Sequence, residues 1–182
     1  MTTSSTPAPG WDDSYGIAER IATILRRREE TVAVAEGSAG GLISAALLAV
    51  PGASAYFLGG TIIYTMQAHS AFIEGTIERP EGMRGASEPF AKYLSRAVAL
   101  RTGATWGLGE AGAAGPPNRY GDPAGHVWLS IAGPHAPGDD YTEFVTRHVL
   151  TGLEDRVANM AAFTAGALRL FLEVLEAREE RR

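Results

Sequence analysis

Residues 31–50, TVAVAEGSAGGLISAALLAV, are the segment that decides the fold. The first six residues, TVAVAE, are short, apolar and partly β-branched, which is typical of a buried strand. GSAGG at 37–41 is a glycine-rich turn, and LISAALLAV at 42–50 is a predicted helix that a Pro-Gly pair ends. A strand, a glycine turn and a helix in this order form the opening of a βα unit.

The rest of the chain continues the alternation of strands and helices. The patterns predict strands at 54–65, 104–110, 126–133 and 141–150, and helices at 13–29, 66–75, 88–103 and 157–175. This alternation favours a three-layer α/β/α sandwich around a mixed, mostly parallel sheet. Residues 1–12, mostly Ser, Thr, Pro and Gly, predict a flexible tail, so we expect a single domain over 13–182.

The composition excludes several classes of protein. A chain of 182 residues has the length of one domain, and it contains no cysteine, so disulfides, thiolate metal sites and cysteine nucleophiles are ruled out. The net charge of −5 argues against nucleic-acid binding. No apolar run approaches the roughly 20 residues of a membrane span, and the N-terminus lacks the features of a secretory signal. We therefore expect a cytoplasmic protein without nucleic-acid or membrane partners.

Four short segments carry a family resemblance. They are AEGSAGG at 35–41, PGASAYFLGG with IIYT at 51–65, GASE at 85–88, and AGAAGP with DPAG at 111–125. In this order and at these approximate spacings they resemble the CinA C-terminal domain family, which includes nicotinamide mononucleotide deamidases. The resemblance covers about residues 13–175, and it identifies the chain as a divergent member.

The resemblance implies an amidase of the Ser–Lys type, a hydrolase that acts on C–N bonds. The family's serine falls on Ser54, its tyrosine on Tyr64 and its lysine on His69. A serine hydroxyl needs a neighbouring base to become a good nucleophile, and an imidazole that is mostly neutral at pH 7 can be that base. We therefore expect Ser54 as nucleophile, His69 as base and Tyr64 as relay, all lining one pocket.

The glycine turns and the acidic strand ends complete the expected site for a small-molecule substrate. The expected substrate-binding residues are Glu36, Gly37, Ser38, Gly40, Gly41, Glu110, Ala111, Gly112 and Asp122. Backbone N–H groups of the turns at 37–41 and 112–115 would hold a developing oxyanion. Ala111, Asp122 and Glu154 replace a hydroxyl residue, a lysine and an arginine of the family, which predicts weak or absent deamidation of nicotinamide mononucleotide.

Two other functions stay open at this point. One is a catalytically silent protein that binds a small ligand, and the other is an acid–base enzyme that uses Glu36 or Glu110 with His69. The acidic and histidine residues show no metal-ligand spacing, so we expect neither a metal nor another cofactor. The family resemblance and the apolar stripe of the last helix, at 157–175, suggest a homo-oligomer, most simply a homodimer, and the pair Tyr56 and Phe57 adds apolar surface near the expected pocket.

Overall fold

The computed structural model describes residues 10–135 and 143–180. In chain order the elements are α1 Trp11–Arg28, β1 Val32–Glu36, α2 Leu42–Ala49, a 3-10 turn Ala53–Ala55, β2 Phe57–Ile62, α3 Met66–Phe72, α4 Glu88–Thr102, β3 Trp106–Ala113, β4 His126–Ala132, β5 Phe144–Leu150 and α5 Arg156–Glu179. Most of the expected tail at 1–12 lies outside the described residues. The first helix begins at Trp11, two residues before the predicted start of the domain.

The five strands form one sheet in the order β2-β1-β3-β4-β5. β1 is parallel to both β2 and β3, whereas β4 is antiparallel to β3 and to β5. Four of the five strands therefore run in the same direction, which confirms the mixed, mostly parallel sheet. The ends of β1, β2 and β3 and the start of β4 meet along one side of the sheet, where Ala113 pairs with His126. We call this side the carboxyl edge.

Helices cover both faces of the sheet. Alternate residues of β1 point to opposite faces, so Val34 packs under α1, α2 and α5 while Ala33 packs under α4. On the α2 face, Phe163 and Phe171 of α5 are fully buried, and burying each such side chain contributes about 1.5–3 kcal/mol. The three-layer α/β/α sandwich is thus confirmed.

Helix α4 lies unusually close to β3. A Cβ atom at Gly109 would stand 2.2 Å from the carbonyl oxygen of Ala91, so glycine is required for this close approach. The polar groups at this contact are satisfied, because the hydroxyls of Ser95 and Ser130 are 2.9 Å apart. The helix begins as the sequence predicts, with Ser87 accepting a hydrogen bond from the Phe90 amide at 3.4 Å.

Helix α5 is the one helix within 10–135 and 143–180 that is long and apolar enough to cross a membrane. Half of its apolar stretch is buried inside the protein. Phe163, Leu168 and Leu175 are fully buried against the sheet. These contacts are those of a core helix in an α/β domain, so the apolar character of α5 is explained by packing.

Candidate active site

The carboxylate of Glu36, at the end of β1, is completely buried and caps helix α2. It accepts hydrogen bonds from the backbone amides of Gly41 at 2.9 Å, Ile43 at 3.1 Å and Ser44 at 2.8 Å. These amides belong to the first turn of the helix, which otherwise lacks acceptors for its N–H groups. Glu36 therefore serves the start of α2 in this structure, and it does not line the pocket at the end of the sheet described below.

The second buried carboxylate, Glu110 of β3, holds the other half of the glycine turn. It accepts hydrogen bonds from the amides of Gly37 at 2.9 Å and Ala39 at 2.8 Å, and a very short one from the Ser38 hydroxyl. The amides of Gly37, Ala39 and Gly41 all donate to buried carboxylates, so in this structure none of the three points to an oxyanion position.

Burial makes the Glu110 carboxyl a weaker acid than a glutamate in water. Removal from water raises the pKa of Glu110 from 4.5 to about 7, while the hydrogen bonds from Ser38, Ala39 and Gly37 act in the opposite direction. The nearby carboxylate of Glu36 raises the pKa of Glu110 further. Near neutral pH this group therefore exists in both protonation states, which is the property of a general base.

Ser38 and Glu110 form a buried hydroxyl–carboxylate pair. The Ser38 hydroxyl donates to one carboxylate oxygen of Glu110, whose other oxygen is fixed by two backbone amides. This is the arrangement that activates a serine, with the base itself oriented by further groups. Gly112 leaves space for the Ser38 hydroxyl, because a Cβ atom at position 112 would lie 2.8 Å from the Ser38 hydroxyl oxygen and 2.6 Å from the His126 carbonyl oxygen.

Ser38 opens into a pocket of about 210 Å³ at the carboxyl edge. The pocket is lined by Ser38, Tyr64, Asn118, Arg156 and the loop 112–116. Nη2 of Arg156 donates to the Tyr64 hydroxyl at 3.0 Å, and Nη1 donates to the Gly115 carbonyl at 2.5 Å. The guanidinium also lies over the Tyr64 ring, 5.7 Å from its centre. The pocket thus combines a hydroxyl with a positioned cation.

Sequence reasoning missed Asn118 and Arg156 as pocket residues. Arg156 lies two positions after Glu154, where the resemblance expects the arginine. The first turn of α5 carries Arg156 to the pocket, so the displacement along the sequence does not remove the cation. The available signal was an arginine close to the expected position at the start of a predicted helix.

Ser54, Tyr64 and His69 do not come together within one chain. Ser54 lies exposed in the 3-10 turn before β2, and Tyr64 lies two residues after the end of the strand. The six-residue strand between them spans about 20 Å, at roughly 3.3 Å per residue. In this structure Ser54 and Tyr64 therefore lie at opposite ends of β2, and one chain does not bring them into a single pocket.

His69 lies on the other side of the sheet from Ser38. It is buried in α3, and its Nε2 is 2.8 Å from the hydroxyl of Tyr93 in α4. Burial, and then the cation of Arg79, lower the pKa of His69, so the ring is neutral at pH 7. Glu36 and Glu110 serve the turn on the α2 face, so this structure does not bring either carboxylate to His69.

The remaining expected residues divide between the pocket and its supports. The carboxylate of Asp122 pairs with Arg84 at 2.5 Å and accepts from Asn118 at 2.8 Å, and the Arg84 guanidinium lowers the pKa of Asp122. Asp122 positions Asn118 and does not itself line the pocket. The side chain of Ala111 packs against the core under α4.

Gly40 and Gly41 shape the turn without lining the pocket.

Within 10–135 and 143–180, no three His, Asp or Glu side chains are grouped as metal ligands.

Comparison with known proteins gives concordant results from sequence and from structure. Residues 14–175 match the family model of the CinA C-terminal domain. A CinA-like protein of Anaeromyxobacter sp. (strain K) is 36% identical over 158 residues, which are 86% of this chain and 37% of the relative. A CinA-like protein of Prochlorococcus marinus (strain MIT 9313) is 35% identical over 136 residues, 74% of this chain and 32% of the relative. The chain thus spans about a third of the length of these relatives.

Solved structures show the same fold. The competence/damage inducible protein CihA from Agrobacterium tumefaciens superposes with a TM-score of 0.77 at 26% identity, over 94% of this chain and 99% of the other. A CinA superfamily protein from Klebsiella pneumoniae superposes with a TM-score of 0.79 at 23% identity, over 90% of this chain and 98% of the other. Together with the family model and the relatives, this places the chain in the CinA C-terminal domain family.

Proposed function

We propose that the protein is an amidohydrolase of small molecules, with Ser38 as nucleophile and Glu110 as general base. The observation that carries this proposal is the Ser38–Glu110 hydrogen bond at a pocket that also holds Arg156. The family resemblance supports amide hydrolysis as the reaction class. In this proposal Ser38 takes the place of Ser54 as nucleophile, and Glu110 takes the place of His69 as base.

The reaction needs no group beyond water and the substrate. The Ser38 oxygen attacks the amide carbonyl carbon while its proton passes to Glu110. The C–N bond then breaks as Glu110 returns that proton to the leaving nitrogen, which gives ammonia or an amine and an ester on Ser38. Water, deprotonated by Glu110, attacks the ester, and Ser38 regains its proton as the carboxylic acid leaves.

The pocket indicates the class of substrate. Arg156 is held by Tyr64 and Gly115 in a fixed orientation, and its guanidinium favours a carboxylate or phosphate on the substrate. A volume of about 210 Å³ lies below the roughly 300–1,000 Å³ of most ligand pockets. We therefore propose a small anionic amide. Nicotinamide mononucleotide remains a poor predicted substrate, because Ala111 and Asp122 replace a hydroxyl residue and a lysine of the family.

The test is ammonia release from a panel of primary amides that carry a carboxylate or a phosphate, with nicotinamide mononucleotide included. Ser38→Ala should lower the rate on the best amide by at least about 100-fold, the lower range for loss of a catalytic group. Thr23→Ala removes an exposed hydroxyl on α1, away from the pocket, and should leave the rate unchanged. His69→Gln should change the rate by less than about threefold.

Two results would refute this function. Loss of activity in His69→Gln but not in Ser38→Ala would return the chemistry to the residues expected from the resemblance. Absence of turnover with every amide, combined with anion binding that Arg156→Ala abolishes, would support the silent ligand-binding alternative.

A further inference from the structure

Helix α5 carries an asparagine, Asn159, whose side chain is completely buried beside the pocket loop 112–116. Its Oδ1 accepts a hydrogen bond from the Thr151 hydroxyl. Its Nδ2 donates to the carbonyl oxygens of Ala114 at 2.8 Å and Leu153 at 3.0 Å. Because only the amide nitrogen can donate, these two carbonyls fix which way the side chain points. One buried side chain thus joins α5, the segment after β5 and the pocket loop.

Two side chains of α5 hold successive carbonyl groups of the pocket loop. Asn159 binds the carbonyl of Ala114, and Arg156 binds the carbonyl of Gly115. Residues three apart lie on the same side of a helix, so both bonds reach the loop from one face of α5. The helix therefore sets the orientation of this stretch of backbone, which follows the last residue of β3.

The bond to Ala114 also sets the direction of the next amide. The peptide group between Ala114 and Gly115 is planar and trans, so its C=O and its N–H point in opposite directions. Since the carbonyl points to Asn159 in the interior, the N–H of Gly115 points away from Asn159. Gly115 is buried and lines the pocket, and within 10–135 and 143–180 no acceptor bonds its N–H. Buried N–H groups rarely lack a partner, so this one is available to an oxygen atom of a ligand.

Position 115 requires glycine for two reasons. The φ angle of Gly115 is +131°, a conformation that residues with a side chain rarely adopt. A Cβ atom would also lie 3.2 Å from the carbonyl oxygen of Glu154. With no side chain at this point, a ligand oxygen can approach the backbone amide directly.

We propose that Asn159 is a positioning residue for the hydrolase reaction, and that the Gly115 N–H which it orients stabilises the oxyanion. Attack of Ser38 on the substrate moves an electron pair of the amide C=O onto its oxygen, and a preoriented N–H donor holds the charge that develops there. Asn159 does not touch the substrate, because it acts through the peptide group. The inference rests on the proposed function, and among the amides expected from the turn at 112–115 it selects that of Gly115.

Steady-state kinetics of Asn159→Ala test the positioning role. On the best amide of the panel, kcat should fall by at least about tenfold, which is part of the roughly 10²–10³-fold that loss of an oxyanion donor costs. KM should change by less than about threefold, because the N–H binds the transition state more strongly than the bound substrate.

Phe171→Leu is the matched control for lost stability. It also removes buried contacts of α5, but against Trp106 at the start of β3, and it should leave kcat unchanged. If kcat falls no further in Asn159→Ala than in Phe171→Leu, the positioning role is wrong.

A second measurement uses the unmodified protein, so it does not depend on how Asn159→Ala folds. Isotope-labelled protein is treated with a fluorophosphonate, whose phosphoryl oxygen takes the place of the oxyanion on Ser38. In a nitrogen–proton correlation spectrum we expect the amide proton of Gly115 to move downfield, as a new hydrogen bond requires, while that of Gly16 in α1 stays unchanged. An adduct on Ser38 without this shift would overturn the present inference alone. Failure to form an adduct on Ser38 would refute the proposed function, and this inference with it.

Discussion

Replacing Glu110 with glutamine should remove a specific part of the pH dependence of folding stability. The unfolded chain releases the Glu110 proton near pH 4.5, whereas the folded protein keeps it to about pH 7 because the group is buried. Since the folded state binds more protons over this range, stability falls as the pH rises from about 4.5 to 7 and is then level. Each pH unit in this range lowers the free energy of unfolding by about 1.4 kcal/mol, so the protein loses about 3 kcal/mol of stability between pH 4.5 and 7.

The Glu110→Gln variant suits this measurement because an amide oxygen can still accept from the amides of Gly37 and Ala39, yet it has no proton to lose. Urea unfolding between pH 5 and pH 8 gives the free energy of unfolding for each protein. The fall in the free energy of unfolding from pH 5 to pH 8 should be smaller in the variant by about 2–3 kcal/mol. Glu78→Gln, at an exposed position, is the matched control and should behave as the unmodified protein.

Equal pH slopes in the unmodified protein and in Glu110→Gln would refute the reasoning. That result would mean that Glu110 titrates at the same pH when folded and unfolded. The buried carboxyl would then lack the raised pKa on which its role as a base near neutral pH depends.

Two further changes test the supports of the site. Glu36→Ala leaves one buried and two partly buried amides without an acceptor, so the free energy of unfolding in urea should fall by about 2–3 kcal/mol. Glu36→Gln keeps an acceptor oxygen and should lower it clearly less. Gly112→Ala places a methyl group against the Ser38 hydroxyl and should lower the free energy of unfolding by about 1–3 kcal/mol. Gly16→Ala, in open space within α1, is the control and should raise the free energy of unfolding by about 0.5–1 kcal/mol. A neutral effect of Gly112→Ala in thermal unfolding would contradict the packing described for Ser38.

Local sequence patterns were sufficient to predict the layers of the fold. Residues 31–50 contain the strand, turn and helix that the structure shows, because apolar periodicity and glycine placement act within a few residues. The same applies to the start of α4 at Ser87, where the cap and the following proline are adjacent in the chain.

The grouping of the site residues could not be predicted in this way. Spacings of ten and five residues placed Ser54, Tyr64 and His69 together, yet strand β2 separates the first two and the sheet separates His69 from Ser38. Whether Glu110 faces ligand or holds a turn depends on amides that are 71 to 73 residues away in the chain. Only the fold brings such groups into contact, so the sequence identified the residue types but not their partners.

The most direct test of the central claim is to find which serine is activated. A fluorophosphonate reacts with an activated serine hydroxyl without requiring knowledge of the natural substrate. After incubation with the protein at pH 8, peptide mass spectrometry should locate a single adduct on Ser38, and Glu110→Gln should abolish it. An adduct on Ser54, or labelling of Ser38 that persists in Glu110→Gln, would contradict the assignment of Ser38 and Glu110 as nucleophile and base.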